Sequence, residues 1–126
     1  MEDEPHIREI VSISLEMLGQ FQVAACDSCA AALSVVDEFS PQLLLLDVMM
    51  PDVDGPATLR ALRERVSAES APAIFITARV EAGDMQRYRK IGVVDVIIKP
   101  FDTMLLPSQL EQIWQRHRTS LNDGGG

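Results

Sequence analysis

The chain has 126 residues, of which 47% are hydrophobic and 24% are charged, and its formal net charge is −8. This size and composition predict one compact domain with an apolar core. The excess of acidic residues argues against a nucleic-acid partner, because binding to a phosphate backbone depends largely on Lys and Arg. No segment reaches the ~20 apolar residues of a membrane span and no signal peptide is recognisable, so we expect a cytoplasmic protein without a membrane partner.

Apolar spacing predicts helices and strands that alternate along the chain. The first helix begins at Pro5, after an acidic cluster, and ends before Gly19. The other predicted elements, in chain order, are a strand at Phe21–Ala25, a helix at Cys29–Phe39, a strand at Leu43–Leu46, a helix at Pro56–Val66, a strand at Ala73–Thr77, a helix at Glu81–Ile91, a strand at Val94–Ile98 and a helix at Met104–Arg118. This order is typical of βαβ units and a parallel sheet. We predict an α/β domain over residues 1–118 and a flexible tail over residues 119–126.

The stretch Leu43–Gly55 contains the strongest local signal in the chain. Its consecutive leucines fit a strand that is buried on both faces, as in the middle of a parallel sheet. Asp47 follows them directly, at the carboxyl end where open α/β sheets place their ligands. The alternative interpretation is that Asp47 is only the polar residue that ends an apolar run.

Polar residues follow three of the predicted strands, namely Asp47, Thr77 and Lys99, and the acids Glu2 and Asp3 precede the first helix. The carboxyl ends of parallel strands share one edge of a sheet, so these groups can converge. Carboxylates brought together repel one another, so a divalent cation or a proton is expected among them, and oxygen ligands favour Mg²⁺. A lysine and a hydroxyl can hold phosphoryl oxygens. The pattern therefore predicts transfer of a phosphoryl group onto a carboxylate.

Four motifs follow one another along the chain, namely Glu-Asp-Glu-Pro, Leu-Leu-Leu-Leu-Asp-Val-Met-Met-Pro-Asp-Val-Asp-Gly, Ile-Phe-Ile-Thr-Ala-Arg and Ile-Ile-Lys-Pro-Phe-Asp. In this order they resemble the motifs of the response-regulator receiver domains of two-component signalling, and the chain is similar to stand-alone, chemotaxis-type regulators. The resemblance implies a flavodoxin-like, doubly wound parallel sheet, nominally (βα)5 with strand order 2-1-3-4-5.

The resemblance also implies a role for each residue at the metal site. Asp47 would be the phosphoacceptor, which takes its phosphoryl group from a phosphohistidine. Asp3 would bind Mg²⁺ (or Mn²⁺) together with Asp47 and the backbone carbonyl of Met49, and Glu2 would act through water.

The same resemblance assigns phosphoryl binding and switching to Thr77 and Lys99, with Met49 and Arg79 as flanking modulators. It implies a cis peptide bond between Lys99 and Pro100. By position, the aromatic residue that usually reports phosphorylation is replaced by Val96, which has no ring to rotate, so the usual readout is in doubt.

The resemblance implies a signalling switch rather than an enzyme. Its expected partners are a histidine kinase or histidine phosphotransferase and a downstream protein target, with the chain a monomer or weak dimer.

The main alternative is a degenerate, non-phosphorylated receiver that acts as an interaction module. An aspartyl phosphohydrolase usually has a second acid two residues after the first, and here Met49 occupies that position. Cys26 and Cys29 have the spacing of a redox pair or half of a metal site, but a zinc site would need two more ligands, and His6 and His117 do not supply a matching pair. The alternative is a loop cysteine and a small helix residue.

One departure from the family pattern is large, since the first strand should precede Glu2 and only Met1 stands there. Loss of about five buried apolar residues at ~2 kcal/mol each would forfeit ~10 kcal/mol, comparable to the stability of a domain. One hypothesis is that the recorded start lies too far downstream. The other is that the chain compensates by rearrangement or by exchange between chains.

Overall fold

The computed structural model of the protein describes residues 1–2, 4–19, 21–49 and 54–124, and their side chains as far as Arg118. The elements are, in chain order, α1 (Pro5–Met17), α2 (Cys29–Phe39), β1 (Leu44–Asp47), α3 (Gly55–Arg63), a 3₁₀ helix (Val66–Ala68), β2 (Ala73–Thr77), α4 (Asp84–Lys90), β3 (Val93–Ile98) and α5 (Leu106–Gly124).

The three strands form one parallel sheet in the order β1-β2-β3. Asp47 at the end of β1 is aligned with Ile76, and Thr77 at the end of β2 is aligned with Ile98. All three carboxyl ends therefore lie along one edge of the sheet. The predicted doubly wound α/β class is confirmed, because helices cover both faces of this sheet.

Each strand supplies side chains to an apolar layer on either face, as alternation along a strand requires. One layer packs the strands against α2, α3 and α4, and the other packs them against α1 and α5. Buried members of the first layer include Val36, Leu44, Leu46, Leu59, Leu62, Phe75 and Tyr88. The second layer comprises Leu15, Ile74, Ile76, Ile97, Leu106, Leu110 and Ile113.

Local sequence determines where three of the helices begin. The side chains of Glu4, Ser28 and Asp54 each accept hydrogen bonds from backbone N–H groups in the first turn of α1, α2 and α3. Such caps satisfy donors that have no partner within the helix. Because Asp54 starts α3 a few residues after β1, the chain turns away from the sheet close to Asp47.

The prediction of a strand at Phe21–Ala25 is wrong for the described structure, which shows no regular element there. A strand forms only where its backbone can pair with a neighbour. The N–H of Phe21 bonds to the carbonyl of Leu15 at 3.0 Å, and the carbonyl of Cys26, just beyond the segment, accepts from the N–H of Glu2 at 3.0 Å. The sheet consequently contains three of the five strands of the predicted 2-1-3-4-5 order, in the relative order 3-4-5.

Several helix boundaries also differ from those predicted. α3 ends at Arg63, and α4 begins at Asp84, because the Asp84 carboxylate accepts the Glu81 N–H and Gly83 has a φ of 86°. α5 continues to Gly124, so the helix extends past Arg118; the flexibility of residues 119–126 stays a prediction. None of the helices in the described ranges combines the length and the apolar character needed to cross a membrane.

Candidate functional site

The site is built where the three strands end. Asp47 and Thr77 are the last residues of β1 and β2, and both are buried. Lys99 follows β3, and its backbone N–H bonds to the carbonyl of Thr77 at 2.8 Å. The ammonium of Lys99 donates to Oδ2 of Asp47 at 2.8 Å. The Lys99–Pro100 peptide bond is cis, as the resemblance implies.

Asp47 is held by different partners at its two carboxylate oxygens. Oδ2 accepts from Lys99, while Oδ1 accepts from the backbone N–H of Met49 at 2.9 Å. Only 2% of the residue is exposed. The Asp47 carboxylate is therefore fixed in direction. The lysine at hydrogen-bond distance from it can contact an incoming anionic group.

Glu2 is brought to Asp47 by the backbone of the residue before it. The carbonyl of Met1 accepts from the N–H of Asp47 at 3.1 Å, and the carbonyl of Glu2 accepts from the Arg8 guanidinium at 3.1 Å. Oε2 of Glu2 lies 3.7 Å from Nζ of Lys99, so this lysine pairs with two acids. Oε2 is buried, and within the described ranges it has no hydrogen-bond partner.

The two acids differ in their tendency to hold a proton. Burial, together with the adjacent Asp47, raises the pKa of Glu2 to about 7. Burial also acts to raise the pKa of Asp47, but the neighbouring Glu2 and the hydrogen bonds from Lys99 and Met49 outweigh it and lower the pKa. Burial opposes the charge on Lys99, yet both acids raise its pKa. Asp47 is therefore an anion at neutral pH, while Glu2 exchanges its proton near neutrality.

This difference predicts a pH-dependent stability in metal-free buffer. Folded Glu2 keeps its proton up to about pH 7, whereas the unfolded side chain loses it near 4.5. The folded state therefore binds more protons in this window, and the free energy of unfolding is expected to fall by roughly 1–3 kcal/mol as the pH rises through it. Urea unfolding of the wild type and of Glu2→Gln measures the effect. The glutamine variant should lack this component, and equal pH slopes in the two proteins would contradict the assignment.

The described residues contain no cluster of three or more His, Cys, Asp or Glu side chains that could hold a metal ion. Asp3, the remaining predicted ligand, lies outside the described residues, as do residues 50–53. The described residues of the site fit a hard cation. Asp47 and Glu2 supply carboxylate oxygens, and Oε2 of Glu2 is buried beside Asp47 without a hydrogen-bond partner among the described residues. All-oxygen donors of this kind suit Mg²⁺ better than zinc.

Thr77 lies at the site but donates its hydroxyl hydrogen elsewhere. The hydroxyl bonds to the carbonyl of Arg79 at 3.1 Å. The side chains of Arg79 and Met49, the predicted modulators, are exposed beside the site, and the Arg79 guanidinium pairs with Glu81. The Thr77 hydroxyl must therefore give up its hydrogen bond to the Arg79 carbonyl before it can donate to a group bound to Asp47.

Val96 is half-buried and packs against the layer that contains α4. Tyr88 is buried in the same layer, with its ring edge-on to that of Phe75 at a centroid distance of 4.8 Å. Tyr88 is therefore a packing residue. Cys26 is buried and Cys29 is half-buried, and both are free thiols.

Sequence reasoning missed the contribution of Met1. Its amino group donates to the carbonyl of Leu45, and its carbonyl accepts from Asp47. These are backbone contacts, so no side-chain pattern could have indicated them. They matter because they position both β1 and the acid that follows Met1.

The structure is therefore a parallel α/β domain with two acids and a lysine at the carboxyl edge of its sheet. A family model for the response regulator receiver domain matches residues 1–111, and the chain belongs to this family. The chemotaxis protein CheY4 of Vibrio cholerae shares the fold, with a TM-score of 0.82 and 23% identity over 89% of this chain and 92% of that one.

More similar sequences occur among receiver domains of other proteins. The receiver domain of the sensor histidine kinase PA1611 from Pseudomonas aeruginosa, with a magnesium ion in its active-site cleft, has a TM-score of 0.73 and 26% identity over 92% of this chain and 91% of that one. Response regulator Rre1 of Synechocystis sp. is 34% identical over 98% of this chain, and the phosphate regulon transcriptional regulatory protein PhoB of Escherichia coli is 33% identical over 92%. The chain spans about half the length of these two curated relatives, 54% and 50% respectively.

Proposed function

We propose that this protein is a phosphoacceptor switch in which Asp47 takes a phosphoryl group from a phosphohistidine on a histidine kinase or histidine phosphotransferase. The observation that carries the proposal is the buried, ionised Asp47 carboxylate with Lys99 bonded to Oδ2 and the Met49 N–H bonded to Oδ1. This arrangement leaves little freedom to the nucleophile and supplies a cation where negative charge develops.

In the transfer step, a carboxylate oxygen of Asp47 attacks phosphorus as the bond between phosphorus and the histidine nitrogen breaks. The product is an acyl phosphate, and the histidine leaves with its electron pair and takes up a proton. Such transfers require alignment and charge neutralisation more than covalent participation by other groups. Lys99 already contacts Asp47, so it is close enough to contact the oxygens of a phosphoryl group bonded to Asp47.

Mg²⁺ would neutralise the phosphoryl oxygens when bound. We propose that Asp47, Asp3 and the backbone carbonyl of Met49 hold it, and that Glu2 contacts it through water. Among the described residues Oε2 of Glu2 has no hydrogen-bond partner, which supports this set, because a buried polar oxygen without a partner is costly unless something satisfies it. A bound divalent cation would also favour the ionised form of Glu2.

The phosphoryl group adds negative charge and three strong acceptor oxygens beside Thr77. Its hydroxyl would then exchange the Arg79 carbonyl for a phosphoryl oxygen, which changes the backbone between β2 and α4. Because Val96 has no ring to rotate, we propose that this segment carries the readout. We further propose a cytoplasmic protein, a monomer or weak dimer, in which this domain passes its signal through contact with a protein target.

Labelling by a small phosphodonor tests the proposal. We expect acetyl phosphate with Mg²⁺ to add the mass of one phosphoryl group to the intact protein, and excess EDTA to prevent this while thermal melting still shows a folded domain. If the folded, Mg²⁺-supplied protein takes up no phosphoryl group from acetyl phosphate or from a phosphohistidine donor, the chain is a non-phosphorylated interaction module instead.

A further inference from the structure

Glu2 depends on a few individual contacts for its position, because it lies outside the helices and strands of the described structure. Its N–H donates to the carbonyl of Cys26 at 3.0 Å, and its carbonyl accepts from Nη1 of Arg8 at 3.1 Å. Its side chain lies beside Asp47, with Oε2 3.7 Å from Nζ of Lys99. The two backbone contacts therefore help to hold the carboxylate of Glu2 at the site.

The position of Glu2 has to be maintained against repulsion from the neighbouring acid. Glu2 and Asp47 repel each other whenever both are ionised. Asp47 resists this repulsion because it is the last residue of β1. Glu2 has no strand or helix to support it, so its own backbone bonds and the bond from the Asp47 N–H to the carbonyl of Met1 resist it instead. Loss of one of these bonds should allow the Glu2 carboxylate to move away from the site.

Arg8 reaches Glu2 from a rigid base, the first two turns of α1. The N–H of Arg8 bonds to the carbonyl of Glu4 at 2.9 Å, and its own carbonyl accepts from the hydroxyl of Ser12 at 2.8 Å. The carboxylate of Glu4 caps the same end of the helix. The Arg8 side chain is half-buried, which restricts its directions. α1 therefore presents the guanidinium to the Glu2 carbonyl from a fixed position.

The contact lies at an informative atom. The carbonyl of Glu2 belongs to the peptide bond that joins Glu2 to Asp3, the other proposed acid of the metal site. A charged donor makes a stronger hydrogen bond to this oxygen than a neutral donor would. The positive charge of Arg8 by itself opposes a cation nearby, since like charges repel. The geometry and the charge of Arg8 therefore act in opposite directions on the affinity for Mg²⁺.

We propose that Arg8 is a positioning residue of the phosphoacceptor site, which holds the Glu2 backbone so that Glu2 and Asp3 can serve a divalent cation beside Asp47. Arg8 does not touch the reacting atoms and acts through the Glu2 carbonyl. The inference rests on the metal set of the proposed function, but it does not require that a phosphoryl group be transferred. Removal of the guanidinium should consequently weaken Mg²⁺ binding, although a positive charge is removed with it.

Arg8→Met and Arg8→Lys test the proposal. Methionine keeps a straight apolar stem without a donor, whereas lysine keeps the positive charge and a donor on a different geometry. In NMR titrations with MgCl₂, we expect the Kd for Mg²⁺ to rise by about 10-fold in Arg8→Met and by less in Arg8→Lys. Hydrogen exchange at the Glu2 amide should be faster in Arg8→Met, even in metal-free buffer. Labelling by acetyl phosphate should fall at limiting Mg²⁺ and recover as MgCl₂ is raised.

Arg89→Met is the matched control. Arg89 is exposed near the end of α4, which leads into the start of β3 at the opposite edge of the sheet from Asp47. This substitution removes the same charge and adds the same side chain as Arg8→Met. It should change neither the affinity for Mg²⁺ nor exchange at the Glu2 amide.

Four results would overturn the proposal. The first is an unchanged or tighter Mg²⁺ affinity in folded Arg8→Met, which would leave Arg8 a structural residue or a simple charge. The second is an equal loss of affinity in Arg8→Met and Arg89→Met. The third is a wild type that binds no Mg²⁺. The fourth applies if Arg8→Met does not fold, and is an Arg8→Lys variant with the affinity and Glu2 exchange of the wild type.

The same measurements separate this inference from the proposed function. If Mg²⁺ affinity falls in Arg8→Met as expected but the wild type takes up no phosphoryl group, the role of Arg8 holds and the phosphoacceptor function fails. If the wild type is labelled and both variants show its dependence on Mg²⁺, the function holds and the role of Arg8 fails.

Discussion

Asp47→Asn is expected to abolish phosphoryl uptake from acetyl phosphate, a loss of at least ~1000-fold in the labelling rate. The amide has no anionic oxygen to attack phosphorus, and it cannot form the acyl phosphate that a carboxylate forms. The side chain keeps its shape and can still accept from the Met49 N–H, so the fold should survive. Intact-protein mass spectrometry over a time course, with a thermal melt of each sample, measures both effects.

Asp54→Asn is the matched control for this substitution. Asp54 is exposed and caps α3 by accepting the Ala57 N–H at 2.9 Å, a role that asparagine performs about equally well. The control should therefore be folded and labelled at nearly the wild-type rate. Labelling of Asp47→Asn at a comparable rate, with the phosphoryl group located on another residue, would contradict the assignment of Asp47 as acceptor.

The parts of the fold that could be predicted are those whose signal is local. β2 and α2 have the predicted limits, since an uninterrupted apolar run and a serine cap determine them within a few residues of sequence. The strand at Phe21–Ala25 could not be judged this way. Its residues are apolar, but a strand depends on a neighbour that is distant in sequence. In the described structure, the backbone bonds from Phe21 to Leu15 and from Glu2 to Cys26 do not form a strand ladder.

The site likewise has features that could be predicted from the sequence and features that could not. That Asp47, Thr77 and Lys99 lie at one edge follows from the geometry of parallel strands, and the described structure brings them together there. The bond between the Thr77 hydroxyl and the Arg79 carbonyl could not be predicted, because it depends on the path of the chain after β2. The raised pKa of Glu2 likewise arises from burial, which the sequence does not specify. The placement of Asp3 stays a prediction.

Lys99→Ala is expected to separate phosphoryl binding from metal binding. The ammonium contacts Asp47 at 2.8 Å and lies 3.7 Å from Glu2, so it competes with any cation for both carboxylates. Removing it should slow labelling by acetyl phosphate by about 100-fold, because the developing phosphoryl charge loses a donor. The affinity for Mg²⁺ should stay the same or rise, since the competing charge is gone. Labelling time courses and calorimetric Mg²⁺ titrations measure the two quantities.

Stability provides an independent readout of the same substitution. In metal-free buffer the variant leaves two buried acids without their cation, which should cost about 2–4 kcal/mol in the free energy of unfolding. Mg²⁺ should restore much of this loss, so it should raise Tm more in Lys99→Ala than in the wild type. Lys90→Ala, at the exposed end of α4, is the control for removal of a positive charge and should change neither labelling nor the response to Mg²⁺. If Lys99→Ala loses Mg²⁺ affinity in parallel with labelling, then Lys99 organises the site as a whole and is not a specific phosphoryl ligand.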